Sequence, residues 1–401
     1  FAYPATTPPA LTDETPRLVG AHVASLEDDR FERADVAIED LYLWSHSSAM
    51  RATVSVDKDK ETPTGAATIE LSRPEDTAAR LPDATITLTH HLVLPTFDAM
   101  RGGSRGRVEH QPVLKIMPDQ PASTSSLLGY VDAFQDLLAV ATGRGPGIIW
   151  LTLFEPRHSR NEATEVLTHP NEVTVCLLRR GHGDATAKAL ESRELVVSLE
   201  DVDFATVIPR WWEVRTRFLA VCNMLLSERF VPGGFLEPKL ITAVSAAEAF
   251  HGALKETPPV SKEQNLERLR PALEALDETE RTWLKSFVPG GFSLHARLER
   301  LAERIPERCR TRLLPDTAAW IRQTKKARND LAHSGASRGD PQTLLAVVYV
   351  TRAVVLVNIL LELGLSEERL YQALTENKEL DRACRSAANH FPTTGSGSTA
   401  R

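Results

Sequence analysis

The hydrophobic period of this 401-residue chain changes once, near Phe204, and the change dictates a two-part fold. Upstream, short runs rich in Val, Ile, Leu and Thr occupy residues 35–44, 51–56, 66–71, 84–94, 113–117, 147–154, 173–178 and 195–199, several of them alternating apolar with polar. A period of two, with Pro, Gly and Asp in the gaps, predicts a mostly antiparallel sheet or sandwich. One helix interrupts it at 123–141, with Leu127, Leu128, Val131, Phe134, Leu137 and Leu138 at helical spacing and Gly143 as its stop. Downstream the period becomes helical, over 209–229, 238–255, 262–287 with a break at Pro271, 293–305, 316–333, 341–363 and 366–390. Asp340–Pro341 reads as an N-cap and first helical residue, and Gly335 and Gly364 as helix stops. The expected fold class is therefore α+β in two domains: a β-rich, sandwich-like domain over 1–205 and an all-α bundle over 206–391. The small polar tail 392–401 is expected to be disordered.

Several chemistries drop out. Cys176, Cys222, Cys309 and Cys384 lie far apart, with no C-x-x-C pair, and read as thiols of a reducing compartment and not as zinc ligands. No apolar segment preceded by basic residues is visible in 1–20, so a cytoplasmic location is expected. Residues 344–363 are apolar enough to raise a membrane span, but Arg352 and Asn358 interrupt them and helix caps bracket them; a buried bundle helix is expected, and no membrane partner. His90 and His91 are adjacent on a strand and point to opposite faces, so with Asp98 they read as structural residues. The segment 143–147 leads into a strand and is a turn; Arg101 to Arg107 reads as a flexible basic loop; and VPGGF, present at 231–235 and again at 288–292, reads as a reused type II turn between helices. No metal or cofactor is implied.

Net charge sharpens the division. The whole chain has 47 Lys and Arg against 54 Asp and Glu, a formal −7, which taken alone disfavours a polyanion partner. Divided at 205/206, however, the first part carries −12 and the second +5. Within the second, residues 297–328 hold ten cations against four acids. Two readings of that excess stay open: a solvated helix face laced by i,i+4 pairs such as Glu299, Glu303 and Glu307 with Arg300, Arg304 and Arg308, or a polyanion-binding surface.

The excess runs into Lys325-Lys326-Ala327-Arg328-Asn329-Asp330-Leu331-Ala332-His333-Ser334-Gly335, at the end of a predicted helix. Asn329 and His333 share a helix face, whereas Arg328 lies about 140° around from His333. The Arg and His of one chain converge only if the last turn is distorted; otherwise a second copy must complete the site. An imidazole near neutral pKa can move a proton to or from a ribose oxygen while a guanidinium holds the charge growing on phosphorus, so these residue types can cleave RNA without a metal. Arg322, Lys325 and Lys326 are candidates for holding the RNA backbone. Alternatively, Arg328 pairs with an acidic neighbour and His333 caps the helix C-terminus.

The segment K-K-A-R-N-D-L-A-H-S-G, together with the helix A-V-S-A-A-E-A-F at 243–250, resembles the HEPN superfamily and, more narrowly, the ApeA-like HEPN proteins of bacterial anti-phage defence. Arg328, Asn329 and His333 match the family motif of Arg, a polar residue, variable residues and His, and Glu248 falls where the family often carries a glutamate that braces the site. The stretch I-E-D-L-Y-L-W at 38–44 is similar to the opening of the ApeA N-terminal domain. The likeness is strongest over 237–364 and weaker before Thr206. It implies a metal-independent endoribonuclease acting on tRNA or another cellular RNA, a homodimer through the HEPN domain, and a sensor or regulatory N-terminal domain with a phage-derived trigger. The alternative it leaves is a non-catalytic HEPN module that binds nucleotide, RNA or a protein and relays a signal from the β domain. A plain binding sandwich with a helical dimerisation domain explains the first half but not the basic segment. The opposed charges suggest that the acidic domain shields the basic one at rest.

Overall fold

A computed structural model describes residues 17–19, 25–57, 62–156, 172–176, 190–230, 233–258, 261–288, 290–334 and 339–392. The chain divides into two compact units, Phe1–Trp212 and Glu213–Arg401. It is a two-domain α+β protein, sheet first and helices second.

The first unit is built on a seven-stranded antiparallel sheet of order β1-β9-β8-β2-β7-β6-β5. Its strands are β1 Arg17–Val19, β2 Arg33–Ile38, β5 Thr77–Arg80, β6 Ala84–Met100, β7 Gly103–Pro118, β8 Ile148–Phe154 and β9 Glu172–Cys176, while β3 Met50–Asp57 and β4 Thr62–Leu71 form a separate hairpin. Alternation sends Ala34, Val36 and Ile38 of β2, Ile86 and Leu88 of β6 and Leu114 and Ile116 of β7 into the core. The layer that faces the sheet is a helix, α2 Thr124–Thr142, capped by the Ser123 hydroxyl at one end and by Gly143 in the left-handed region at the other. Its residues Leu127, Val131, Leu137 and Leu138 are fully buried.

Three local expectations change. The run 35–44 is not one strand: β2 ends at Ile38, Asp40 takes φ 62°, and the chain turns into the short helix α1 Leu41–Trp44. Asp is among the few non-glycine residues that tolerate this region, which is why an apolar run could hide a turn. Residues 195–199 form no strand; Val196 N–H donates to Ala141 O and Leu199 N–H to Trp44 O, so this apolar run is buried by packing and not by ladder pairing. The supposed basic loop at 101–107 is mostly ordered ribbon: β6 and β7 pair out to Met100–Gly103, with Arg105 opposite Asp98.

His90 and His91 diverge as strand neighbours must. His91 is exposed and stacks on Trp150, whereas His90 is buried and its Nδ1 lies 3.0 Å from His110 Nε2. Ala49 N–H donates to His110 Nδ1, so neutral His110 carries its proton on Nε2 and donates it to His90. Burial pushes both imidazoles below the usual histidine range. Depressed folded-state values mean that the unfolded chain binds protons first, so their contribution to stability is complete above about pH 6.5 and is lost as pH falls through the lower folded values. The unfolding temperature is expected to fall between pH 7.5 and 5.5, and His110→Gln, which keeps an acceptor for Ala49, is expected to flatten that fall; parallel curves would refute it.

Every regular element among the described residues of the second unit is a helix. α3 Phe204–Arg217 crosses the boundary, followed by α4 Leu219–Phe230, α5 Leu236–Ala253, α6 Lys262–Arg268, α7 Arg270–Glu274, α8 Glu278–Phe287, α9 Leu294–Glu303, α10 Glu307–Leu313, α11 Thr317–Ser334, α12 Pro341–Glu362, α13 Glu367–Glu376 and α14 Lys378–His390. Side chains that cap new helices divide the longer expected ones. Asn377 Oδ1 accepts from Glu379 and Leu380 N–H to start α14, and Asp277 starts α8 in the same way. Pro271 sits in the first turn of α7, and α10 has no counterpart among the expected helices. Gly364, at φ 85°, ends α12 as expected, while Gly335 lies outside the described residues. The two VPGGF copies differ: Gly233 and Gly234 both have positive φ, but in the second copy only Gly291 does. A Cβ on Gly290 would lie 2.8 Å from Lys262 Cβ, so that glycine is required by close approach and not by a type II turn.

α12 is the long apolar helix, and 78% of its most apolar window is buried inside the fold. It packs against α5, α14, α11 and α9. The residues that interrupt it serve the bundle: Arg352 donates to Leu225 O, and Asn358 Nδ2 donates to Leu301 O and Val354 O while its Oδ1 accepts from Arg304 Nε.

Candidate active site

α11 starts on Asp316, whose carboxylate accepts from Ala319 N–H, and runs without a break to Ser334. Trp320, Thr324, Ala327 and Leu331 recur every three to four residues and form its buried stripe, flanked by Ile321. Trp320 Nε1–H donates to Thr351 Oγ1 on α12 at 3.2 Å, locking the helix by one buried polar contact. Packing therefore fixes which face is left over. Arg322, Lys326 and Asn329 are exposed on the opposite side, Lys325 is half-buried beside them, and Arg328 is half-buried on the flank of the stripe, one turn after Thr324.

The basic segment divides between its helices. Arg300 pairs with Glu303 within α9 at 2.9 Å, but Arg304 reaches Glu362, Arg308 reaches Glu368 at 2.7 Å and Arg312 reaches Asp381 at 3.2 Å, all on other helices. Arg297 is spent on the carbonyls of Phe292 and Glu248. Part of the basic segment, Arg297, Arg304, Arg308 and Arg312, thus holds the bundle together. The cations without an ion pair among the described residues include Arg322, Lys325, Lys326 and Arg328, all on α11. The idea that Arg328 is neutralised by an acidic neighbour finds no partner among those residues.

Because α11 stays helical through Ser334, positions 328 and 333 are five residues apart on a regular helix and about 140° apart around it. The distortion that would bring them together in one chain does not occur. His333 lies in the last turn, but its side chain is outside the described residues. Glu248 is half-buried on α5, which packs against α11 and α9; its carbonyl accepts from Arg297, and its carboxylate bonds to nothing among the described residues.

Two family profiles match the chain. The one described as Apea-like HEPN covers residues 241–369, and the one described as ApeA N-terminal domain 1 covers residues 17–211. The chain belongs to the ApeA-like HEPN family. No curated protein and no solved structure matches it. The HEPN match opens in α5, ahead of Glu248, takes in all of α11 and α12 and closes in α13, so α11 and the helices that pack against it, α9, α12 and all but the first turn of α5, fall inside it.

Two features of the HEPN domain were not visible in the chain alone. His251 is buried on α5 with its ring edge-on to Phe292 at 4.5 Å and Nε2 3.7 Å from the Glu256 carboxylate; burial pushes it down, Glu256 opposes, and Arg297 and Arg300 push it further down. Only the A-E-A-F-H context hinted at a core histidine. Thr324 has a fully buried hydroxyl with no hydrogen-bond partner among the described residues. Thr324→Val removes that orphan at constant shape and is expected to raise stability by about 1 kcal/mol in urea unfolding; a loss of stability would show that the hydroxyl has a partner.

Proposed function

We propose that this protein is a metal-independent endoribonuclease, active as a homodimer, and an effector of anti-phage abortive infection in the cytoplasm. What carries the reading is the concentration on α11 of cations with no ion partner among the described residues, leading into Arg328, Asn329 and His333 inside a HEPN domain. His333 takes the proton from a ribose 2′-hydroxyl as that oxygen attacks the adjacent phosphorus, and the 5′-oxygen leaves and gains a proton, giving a cyclic phosphate and a 5′-hydroxyl end. Arg328 holds the charge that grows on the phosphorane oxygens, and Asn329 orients the phosphate. Since positions 328 and 333 diverge on one helix, Arg328 of one copy serves with His333 of the other. Glu248 braces the helix that carries the motif, and the N-terminal domain regulates the effector in response to a phage-derived signal.

Arg322, Lys325 and Lys326 hold the RNA backbone. Binding of single-stranded RNA is therefore salt-dependent, and Arg322→Glu with Lys326→Glu is expected to reduce the slope of log K against log salt by about 1.4, two contacts at roughly 0.7 each. An unchanged slope would move the RNA to another surface. The deciding experiment is incubation with total RNA in EDTA, wild type beside His333→Ala. Cleavage by wild type only supports the reading; no cleavage, with RNA or nucleotide bound equally by both, would make this a non-catalytic HEPN module.

A further inference from the structure

We infer that the N-terminal domain carries a self-association surface, formed where the hairpin β3–β4 and the ribbon β6–β7 splay apart, and that the same two hairpins of a second copy fill it. Residues opposite each other on an antiparallel ladder share a face. In β3–β4 the pairs Met50–Leu71, Ala52–Ile69 and Val54–Ala67 make one face wholly apolar, while Arg51–Glu70 and Thr53–Thr68 make the other polar. That is the pattern of a hairpin packed on a core, yet Val54 is 54% and Ile69 62% exposed. The ribbon is bare in the same way. β5 pairs with β6 only over Thr85–Leu88 and β2 with β7 only over Leu114–Ile116, so beyond those residues β6 and β7 pair only with each other among the described strands. Along β7, alternation puts His110, Val108, Gly106 and Ser104 on one face, together with Leu92, Phe97 and Ala99 of β6. The Phe97 ring lies over Gly106, where a Cβ would come within 3.1 Å of it, and is 79% exposed.

The two faces share a root. Met50, from the apolar face of β3–β4, and Val108 and His110, from the Phe97 face of the ribbon, line one cleft of about 670 Å3. Further out Val54, Ile69 and Phe97 each stay more than half exposed, so the faces do not close on each other. A lone two-stranded hairpin is at best marginally stable in water, and bare apolar faces of this length call for a cover. Size and charge identify it. A face eight residues long, the length of β3, and two strands wide measures about 26 by 10 Å, so the four faces of two copies come to roughly 1,000 Å2, the threshold for a specific interface. Residues 50–71 carry three cations and four acids, and residues 91–110 three cations and two acids. The two hairpins together are therefore neutral, and the whole −12 of residues 1–205 lies elsewhere. Two acidic domains repel least where neutral apolar surfaces meet, and a polyanion finds no net positive charge there. The β3–β4 face of one copy lies on the Phe97 face of the other, and the reverse, an isologous contact around a two-fold axis.

The test uses two full-length chains co-expressed in a Cys176→Ser background, because Cys176 is the exposed native thiol. One chain carries Val54→Cys, and the other, lengthened by a tag, carries Phe97→Cys. Treated with a short bis-maleimide, they can give a product of hybrid mass only by joining two chains. That product is expected. Ile69→Asp, on the apolar face, is expected to slow its formation at least ten-fold, whereas Thr53→Asp, on the polar face of the same hairpin, leaves the rate unchanged. Absence of the hybrid product, or equal effects of the two aspartate substitutions, would overturn the surface and assign the groove to something other than a second copy. The contact does not rest on the ribonuclease reading: His333→Ala is expected to cross-link as wild type does, so the two can fail separately.

Discussion

Arg328→Ala and His333→Ala proteins are each expected to cleave RNA 10²–10⁴-fold more slowly than wild type, since one removes the charge-holding group and the other the proton-transfer group. Folding should be intact in the Arg328→Ala protein, because Arg328 stands on the flank of the buried stripe and forms no ion pair among the described residues. The informative step is to co-express them. In a mixed dimer each chain lacks one group, so no single copy has both, but one cross-chain pair is complete. Recovery to on the order of a quarter of wild-type activity is expected from statistical pairing and one functional pair of two. No recovery would mean that Arg328 and His333 work within one chain, against the regular helix that carries them.

Asn358→Leu is expected to destabilise the helical unit by about 3 kcal/mol, or roughly 6–12 °C in unfolding temperature. Asn358 is completely buried, and the substitution strands the carbonyl of fully buried Leu301 and takes the acceptor from Arg304 Nε. Arg304→Met added to Asn358→Leu is expected to recover part of the loss, because one of the stranded groups is then gone and Glu362 keeps Arg217 at 3.5 Å. A double variant no better than the sum of the single losses would show that the network is not the cause. Neither substitution touches α11, so measuring RNA cleavage in the same proteins separates loss of fold from loss of chemistry.

Much of this was legible because each element carries its own punctuation. The Ser123 cap and Gly143 stop bracket α2, Asp340–Pro341 starts α12 and Gly364 ends it, and alternation places His90 and His91 on opposite faces. Where the expectation failed, a single residue acted against its neighbours: Asp40 turned an apolar run into a bend, and Asn377 and Asp277 capped helices inside longer periodic stretches. Apolar pattern reports which side chains are buried, not whether their backbones pair, which is why residues 195–199 read as a strand.

For the site, sequence alone determined the residue types, their spacing and the helix that carries them, since period and capping are local properties of the chain. What only the tertiary structure decided was which charges are spent. Arg300, Arg304, Arg308 and Arg312 look like Arg322, Lys325 and Lys326 in a charge count, but the former meet Glu303, Glu362, Glu368 and Asp381 and the latter meet no ion partner among the described residues. Those acids lie up to 69 residues away in the chain, and ion pairing depends on distance in space, which packing sets and sequence separation does not.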